Sequence, residues 1–292
     1  MVTIGFIGAG ITGTALAVRL QQQGYHIVAV SSRTISSAEK LARRVNGCQA
    51  CKSSQEVADQ ANLVFITTPD DVIQEVATRI RWRQGQFVVH CSGAHSTGII
   101  KSCQQFGASP GCFHPLQTFA SIEQAITNLS DSTFAIEADE PLLTILEGIA
   151  TRMSGNHIVI DAKDKVLYHA AAVFACNYLV TLVKLATDIW QEFGIPREQA
   201  IKALTPLLRG TIGNIENIGL PGCLTGPIAR GDSGTISKHL EALTNLQPDL
   251  INTYKQLGLQ TIPIAVEKGK IDQGKTTELE GLLTKQLQGV LQ

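Results

Sequence analysis

The chain has 292 residues, 44% of them hydrophobic and 17% charged, with a net charge of −1. That length suits about two domains with a sizeable core. The near-neutral balance leaves no footprint for nucleic acid or an anionic membrane surface, so neither is expected as a partner. Seven cysteines, an odd number in so long a chain, fit a reducing cytoplasm better than a disulfide framework. No basic stretch precedes the first apolar run, so no leader segment is expected and the expected location is cytoplasmic. Cys48-x-x-Cys51 has no second pair and no neighbouring His, and no metal is expected.

An apolar strand over 2–7 leads into Gly8-Ala9-Gly10-Ile11-Thr12-Gly13, and a helical pattern follows to Gln23. The spacing G-x-G-x-x-G between a strand and a helix is the dinucleotide-binding fingerprint. The first glycine makes the tight turn, the second lets a pyrophosphate approach, and the third lets helix and strand pack closely. The free N–H groups and positive dipole end of the helix face the phosphates. A second strand over 26–30 ends in Ser31-Ser32-Arg33-Thr34, where an NAD enzyme usually has a carboxylate for the ribose hydroxyls. With no carboxylate there to repel a 2′-phosphate and Arg33 there to pair with it, the expected cofactor is NADP.

Further strands are expected at 48–51, 62–67, 86–91, 110–113, 132–136 and 157–160, with helices near 35–45, 53–59, 70–80, 95–105, 121–128 and 140–153. This alternation predicts an α/β fold, a doubly wound and mostly parallel sheet of the Rossmann type. Ligands in such sheets bind outside the carboxyl ends of the strands. Those ends read Thr67-Thr68-Pro69-Asp70-Asp71, then Ser92-Gly93 after His90-Cys91, then His114-Pro115 after Cys112-Phe113. Asp70 or Asp71 is expected to cap the following helix. Ser31, Ser32, Arg33, Thr67, Thr68, Pro69, Ser92 and Gly93 join the glycine loop as candidate cofactor contacts. His114, held extended by the proline after it, is a candidate partner for a substrate carbonyl or the nicotinamide amide.

From Ala162 onward strand signals stop and helical periods run to Gln292, so the expected domains are 1–161 and 162–292. The apolar stretch 170–183 contains Asn177 and precedes Lys184, which makes it too short and too polar to span a bilayer. It reads as part of one long helix over about 163–193, apolar all round and buried on every side, its core completed by a second subunit. His169, Val173 and Asn177 are spaced i, i+4, i+8 along it and share one side. Arg209 and Arg230, each beside a glycine, are candidates for clamping a substrate carboxylate.

Together G-A-G-I-T-G, T-T-P-D-D, H-C-S-G, C-F-H-P-L-Q-T-F, Y-H-A-A-A-V-F-A-C-N-Y and L-T-G-P-I-A-R-G-D resemble a bacterial group of Rossmann-like proteins. Its members have an all-helical C-terminal domain of the 6-phosphogluconate dehydrogenase type and are described by similarity as NADP oxidoreductases. The group is related to the β-hydroxyacid dehydrogenases, ketopantoate reductase and pyrroline-5-carboxylate reductase. The resemblance covers nearly the whole chain and implies hydride transfer, a helical substrate domain and a homodimer. It does not specify the substrate. The β-hydroxyacid relatives place a catalytic Lys and a nearby Asn on the first helix of the second domain. Here the Lys position falls near His169, with Lys163 and Lys165 one or two turns earlier and Asn177 two turns later. Three readings follow. The first is an NADPH-dependent reductase of a small oxo-acid, with His169 or His114 as acid and Asn177 orienting the carbonyl. The second is an imine reductase. The third is a non-catalytic NADPH sensor.

Overall fold

The structure is a computed structural model that describes residues 2–244, 246 and 248–285. Eight strands form one sheet: β1 (Thr3–Ile7), β2 (His26–Ser31), β3 (Gln49–Ala50), β4 (Leu63–Ile66), β5 (Phe87–His90), β6 (Ser109–Leu116), β7 (Thr133–Ala138) and β8 (Asn156–Val159). Their order is β3-β2-β1-β4-β5-β6-β7-β8. Strands β1 to β6 are parallel, β7 is antiparallel to β6, and β8 runs parallel to β7. This is the expected doubly wound sheet. The crossover helices are α1 (Ile11–Gln22), α2 (Ile35–Ala42), α3 (Ser54–Gln60), α4 (Ile73–Arg79), α5 (Ile122–Asn128) and α6 (Leu142–Arg152).

Four aromatic rings cross the middle of the sheet in a row. Phe6 of β1 stacks on Phe65 of β4 at 5.3 Å, Phe65 meets Phe113 of β6 edge-on at 6.1 Å, and Phe113 stacks on Phe134 of β7 at 4.5 Å. All four are fully buried, and such pairs add about 0.5–1.5 kcal/mol each beyond their burial. Side chains alternate across a strand, so anchoring Phe113 in this layer turns Cys112 and His114 together to the opposite face.

Several local expectations are corrected. The strand expected at 110–113 continues to Leu116, so His114 lies inside β6, opposite Ala135, rather than beyond it. The helix expected at 95–105 is a 3-10 run, Thr97–Phe106, interrupted at Ile100. The helix expected at 70–80 is a single 3-10 turn, Asp70–Val72, followed by α4, and neither start carries a side-chain cap. Asp70 instead accepts a hydrogen bond from Ser92 Oγ at 2.6 Å.

Beyond the sheet come α7 (Lys165–Ala175), α8 (Asn177–Glu192), α9 (Arg197–Ile218), α10 (Ser233–Thr244), α11 (Pro248–Glu267) and α12 (Gln273–Thr284). Residues 286–292, the end of the expected helical half, lie outside the described residues. The one long helix of 163–193 falls into two, α7 and α8, parted at Cys176, whose angles (φ −111°, ψ −67°) are distorted but stay in the right-handed helical region. Nor is it buried on every side: Val166, Leu167, Phe174 and Val180 are exposed. Among the described residues, Ala162–Glu192 is one helical stretch long and apolar enough to cross a membrane by length and composition alone. Its Lys165 is nonetheless buried against the sheet.

The chain divides into two compact units, Met1–Tyr178 and Leu179–Gln292. Strand signals end near Asp161, but α7 groups with the sheet because Lys165, Tyr168 and His169 pack onto strand ends. The second unit has its own apolar core, with Ile228, Ile236, Ile251, Ile262, Ala265 and Leu279 buried.

Candidate functional site

The carboxyl ends of β1, β2, β4 and β5 lie on one edge of the sheet. The glycine loop sits at the first of these. Gly8 has φ +114°, and a Cβ there would stand 2.7 Å from the Thr67 backbone. A Cβ on Gly13 would meet Thr67 Oγ1 at 2.3 Å and the Gly8 carbonyl at 2.4 Å, whereas Gly10 opens onto free space. The loop is therefore closed where it packs and open where a phosphate would approach. Thr67 braces it by donating Oγ1–H to the Gly8 carbonyl at 2.8 Å. Helix α1 begins at Ile11 with Gly10 as N-cap and no acidic side chain in its first turn, so nothing competes with an anion there. Ala9 and Thr12 flank these positions half-buried.

The other expected cofactor contacts divide into free and engaged groups. Arg33 is exposed at the start of the turn into α2, and Ser32 is half-buried beside it. Ser31 is buried, with its hydroxyl 3.3 Å from Ser54 Oγ. Thr34 caps α2 by accepting from Ser37 N–H. Thr68 Oγ1 is buried with no partner among the described residues, beside Pro69 at the end of β4. An orphaned donor at the strand edge, next to an open glycine cradle, is the arrangement a dinucleotide would complete. A cavity of about 360 Å³ adjoins the loop between Ala9, Thr14 and the basic Lys40, Arg43 and Arg44 of the α2 region.

The second cluster lies at β5, β6 and α7. Ser92 is held by its Oγ–H···Asp70 bond and by accepting from His95 N–H at 3.2 Å. Its carbonyl accepts from Lys165 Nζ at 3.3 Å and from Cys112 Sγ at 3.3 Å. Lys165 Nζ also reaches Cys112 Sγ at 3.0 Å, and the lysine is only 1% exposed. Burial pushes the Cys112 thiol up to about 11, although Lys165 opposes the shift. His114 Nδ1 lies 2.7 Å from the Tyr168 hydroxyl, and its ring meets His169 edge-on at 6.4 Å. Burial, then the charge of Lys165, hold His114 down to about 4, so its imidazole is neutral at physiological pH. Burial also holds His90 down to about 4; its Nε2 bonds the Ser96 carbonyl at 3.2 Å.

His114 and His169 thus come together. Asn177 is exposed at the start of α8, just past the distortion at Cys176. Arg209 lies exposed on α9 and Arg230 exposed at the end of a 3-10 turn, both in the second unit. Asp232 caps the next helix by accepting from Thr235 N–H and Oγ1–H. Lys165 and Tyr168 had no assigned role. The signal was present: Lys165, Tyr168 and His169 have the i, i+3, i+4 spacing that shares one helix face.

This geometry defines the class, a Rossmann-type dinucleotide-binding fold with a polar cluster at the strand ends. Residues 1–115 match the Rossmann-like domain model, and residues 132–261 match the domain of unknown function DUF2520. The chain thus carries a Rossmann-like domain followed by a DUF2520 domain. A solved protein of Bacteroides fragilis, provisionally assigned as an NADP oxidoreductase, is 27% identical over 90% of this chain and 98% of its own, with a TM-score of 0.72. A reductive aminase of Aspergillus terreus, solved with NADPH, shares the fold at 14% identity over 97% of this chain and 92% of its own, with a TM-score of 0.61. Over 74 residues the chain is 32% identical to 2-(hydroxymethyl)glutarate dehydrogenase of Eubacterium barkeri. That match takes in 25% of this chain and 24% of the dehydrogenase, so the chain spans about a quarter of the curated relative.

Gly93 is the tightest point of the cluster: a Cβ there would stand 2.7 Å from His169 Cδ2 and 2.8 Å from His114 Nε2. Gly93→Ala is expected to push the two imidazoles apart, lowering the melting temperature by only a few degrees while disordering both rings. A crystal structure of the variant with both rings unmoved would contradict this packing.

Proposed function

We propose that this chain, an NADP-dependent oxidoreductase by fold and kinship, reduces a small oxo-acid by hydride transfer. The observation that carries the reading is the meeting of His114, His169, Tyr168 and Lys165 on the sheet edge that also bears the glycine loop. The main-chain N–H groups at the start of α1 hold the pyrophosphate, and Arg33 pairs with the 2′-phosphate. Bound NADPH supplies the hydride. The residues of the cluster handle charge and protons. The buried ammonium of Lys165 places positive potential where a carbonyl oxygen gains negative charge, a larger effect in this water-poor setting than in bulk solvent. His169 is the proton donor, and His114 hydrogen-bonds the substrate carbonyl. Arg209 and Arg230 are proposed, each on its own, as groups that can bind a carboxylate, and Asn177 as a polar group that can orient a carbonyl.

One observation favours a second reading. His114 is neutral, and a substrate that arrives as a protonated imine needs no strong acid. The Lys165 charge argues the other way, because it repels an iminium. NADPH oxidation over a panel of 2-oxo-acids and cyclic imines separates the two. Turnover of cyclic imines alone would transfer the assignment to imine reduction, and no turnover on either class would leave a non-catalytic NADPH-binding protein.

The exposed apolar side chains of α7 and α8 (Leu167, Phe174, Val180), and separately of α9 (Leu207, Ile215, Ile218), are proposed to be covered by a second copy of the chain. We further propose that the protein is soluble and cytoplasmic.

Three results are expected. Arg33→Ser lowers the preference for NADPH over NADH by about 10- to 100-fold, the worth of one or two charge-assisted hydrogen bonds; an unchanged ratio in titration calorimetry removes Arg33 from the cofactor site. His169→Ala lowers kcat by ~100-fold or more with NADPH affinity nearly unchanged, and full turnover in that variant would exclude His169 as proton donor. Sedimentation velocity shows a dimer at micromolar concentration; a stable monomer sinks the second-copy proposal.

A further inference from the structure

We infer that Tyr168 is a positioning residue that fixes His114 in its Nε2–H form, so that the ring presents a donor at the Gly93 corner. This rests on reading the cluster as the reductase site.

The Tyr168 hydroxyl and His114 Nδ1 are 2.7 Å apart, with the two rings nearly perpendicular at 86°. That distance is a full hydrogen bond, and only one group can donate in it. A phenol carries a single proton, and Nδ1 is the only acceptor that the Tyr168 hydroxyl meets among the described residues. If Nδ1–H donated instead, the phenolic proton would be left without an acceptor at a half-buried position, which is costly. The remaining arrangement has Tyr168 donating to a bare Nδ1, which puts the imidazole proton on Nε2.

Neither ring ionises to disturb this. Burial raises the Tyr168 phenol, which keeps its proton, and burial with Lys165 keeps His114 neutral. The Lys165 ammonium, 5.8 Å from the centre of the Tyr168 ring, penalises any added positive charge on its neighbours.

The far side of the His114 ring is where the consequence falls. Nε2 makes no hydrogen bond to the described residues and stands 2.8 Å from the position a Gly93 Cβ would take. Glycine lets the ring pack this closely. An acceptor oxygen that reaches Nε2, such as a substrate carbonyl or a carboxamide, receives a hydrogen bond from a neutral imidazole. Such a donor polarises a carbonyl without passing through an imidazolium. Tyr168 contributes through His114 alone.

The test is the tautomer of His114 in the full-length, ligand-free protein labelled with 15N. Two-dimensional multiple-bond spectra of the ring nitrogens, assigned with His114→Gln, are expected to show a single Nε2–H form near neutral pH. In Tyr168→Phe the same ring is expected to become a mixture of tautomers. On a carbonyl substrate, kcat of this variant falls by ~10-fold or more while NADPH affinity stays within about twofold. A protonated Nδ1 in the wild-type protein, or a pure Nε2–H form in Tyr168→Phe, overturns the inference. Should Tyr168→Phe not fold, wild-type protein grown with 3-fluorotyrosine replaces it. The more acidic phenol must move the Nδ1 resonance, and an unmoved resonance is equally fatal. Failure of the reductase reading shows separately, as absence of NADPH oxidation by a wild-type protein whose His114 still has the Nε2–H form.

Discussion

A buried ammonium ties the site together. Lys165, the first residue of α7, sends its Nζ between the Ser92 carbonyl and the Cys112 sulfur. Burying a lysine without acceptors is expensive, so these contacts are required. They join the end of β5, the middle of β6 and the start of α7. Ser92 is in turn held by Asp70 from the end of β4. Two strand ends, the middle of a third strand and one helix are thus fixed relative to a single charge. The neutral state of His114 depends on that charge as well as on burial.

The aromatic row across the sheet supplies the rigidity behind this. Phe113 is clamped between Phe65 and Phe134, so its neighbour His114 cannot rotate out of register without disrupting the core. A side chain held in this way loses little freedom when it binds a ligand. The glycine loop is supported independently, by the Thr67 brace and close packing at Gly8 and Gly13.

Much of the fold was legible because it is encoded locally. The strand–glycine–helix opening, the strand–helix alternation and the polar strand ends are all patterns within short windows. The cluster was legible only in part. His114 and His169 stood out as isolated polar groups, but their meeting depends on where α7 docks, a contact 55 residues apart in sequence. Lys165 does not stand out in the sequence, because a lysine near a helix start usually reads as a solvated one. The helical period that groups Asn177 with His169 passes through the distortion at Cys176, which no glycine or proline marks. The long apolar helix pattern was read as burial, whereas apolar residues such as Leu167 and Phe174 lie on the surface of the single chain. Composition cannot distinguish a covered surface from one awaiting a partner.

The reversal of β7 has a geometric outcome. Because β7 and β8 run against the first six strands, the chain leaves β8 at the amino-terminal side of the sheet. It then climbs beside β6 as α7. Four residues of helix advance about 6 Å, and two residues of strand advance almost the same distance, about 6.6 Å. Lys165 therefore comes level with Cys112 just as His169 and its neighbour Tyr168 come level with His114. The two elements mesh like a rack and pinion of matched pitch. A one-residue insertion or deletion between Lys165 and His169 would rotate one rung away by about 100°, so substitutions are tolerable in this stretch where changes of length are not.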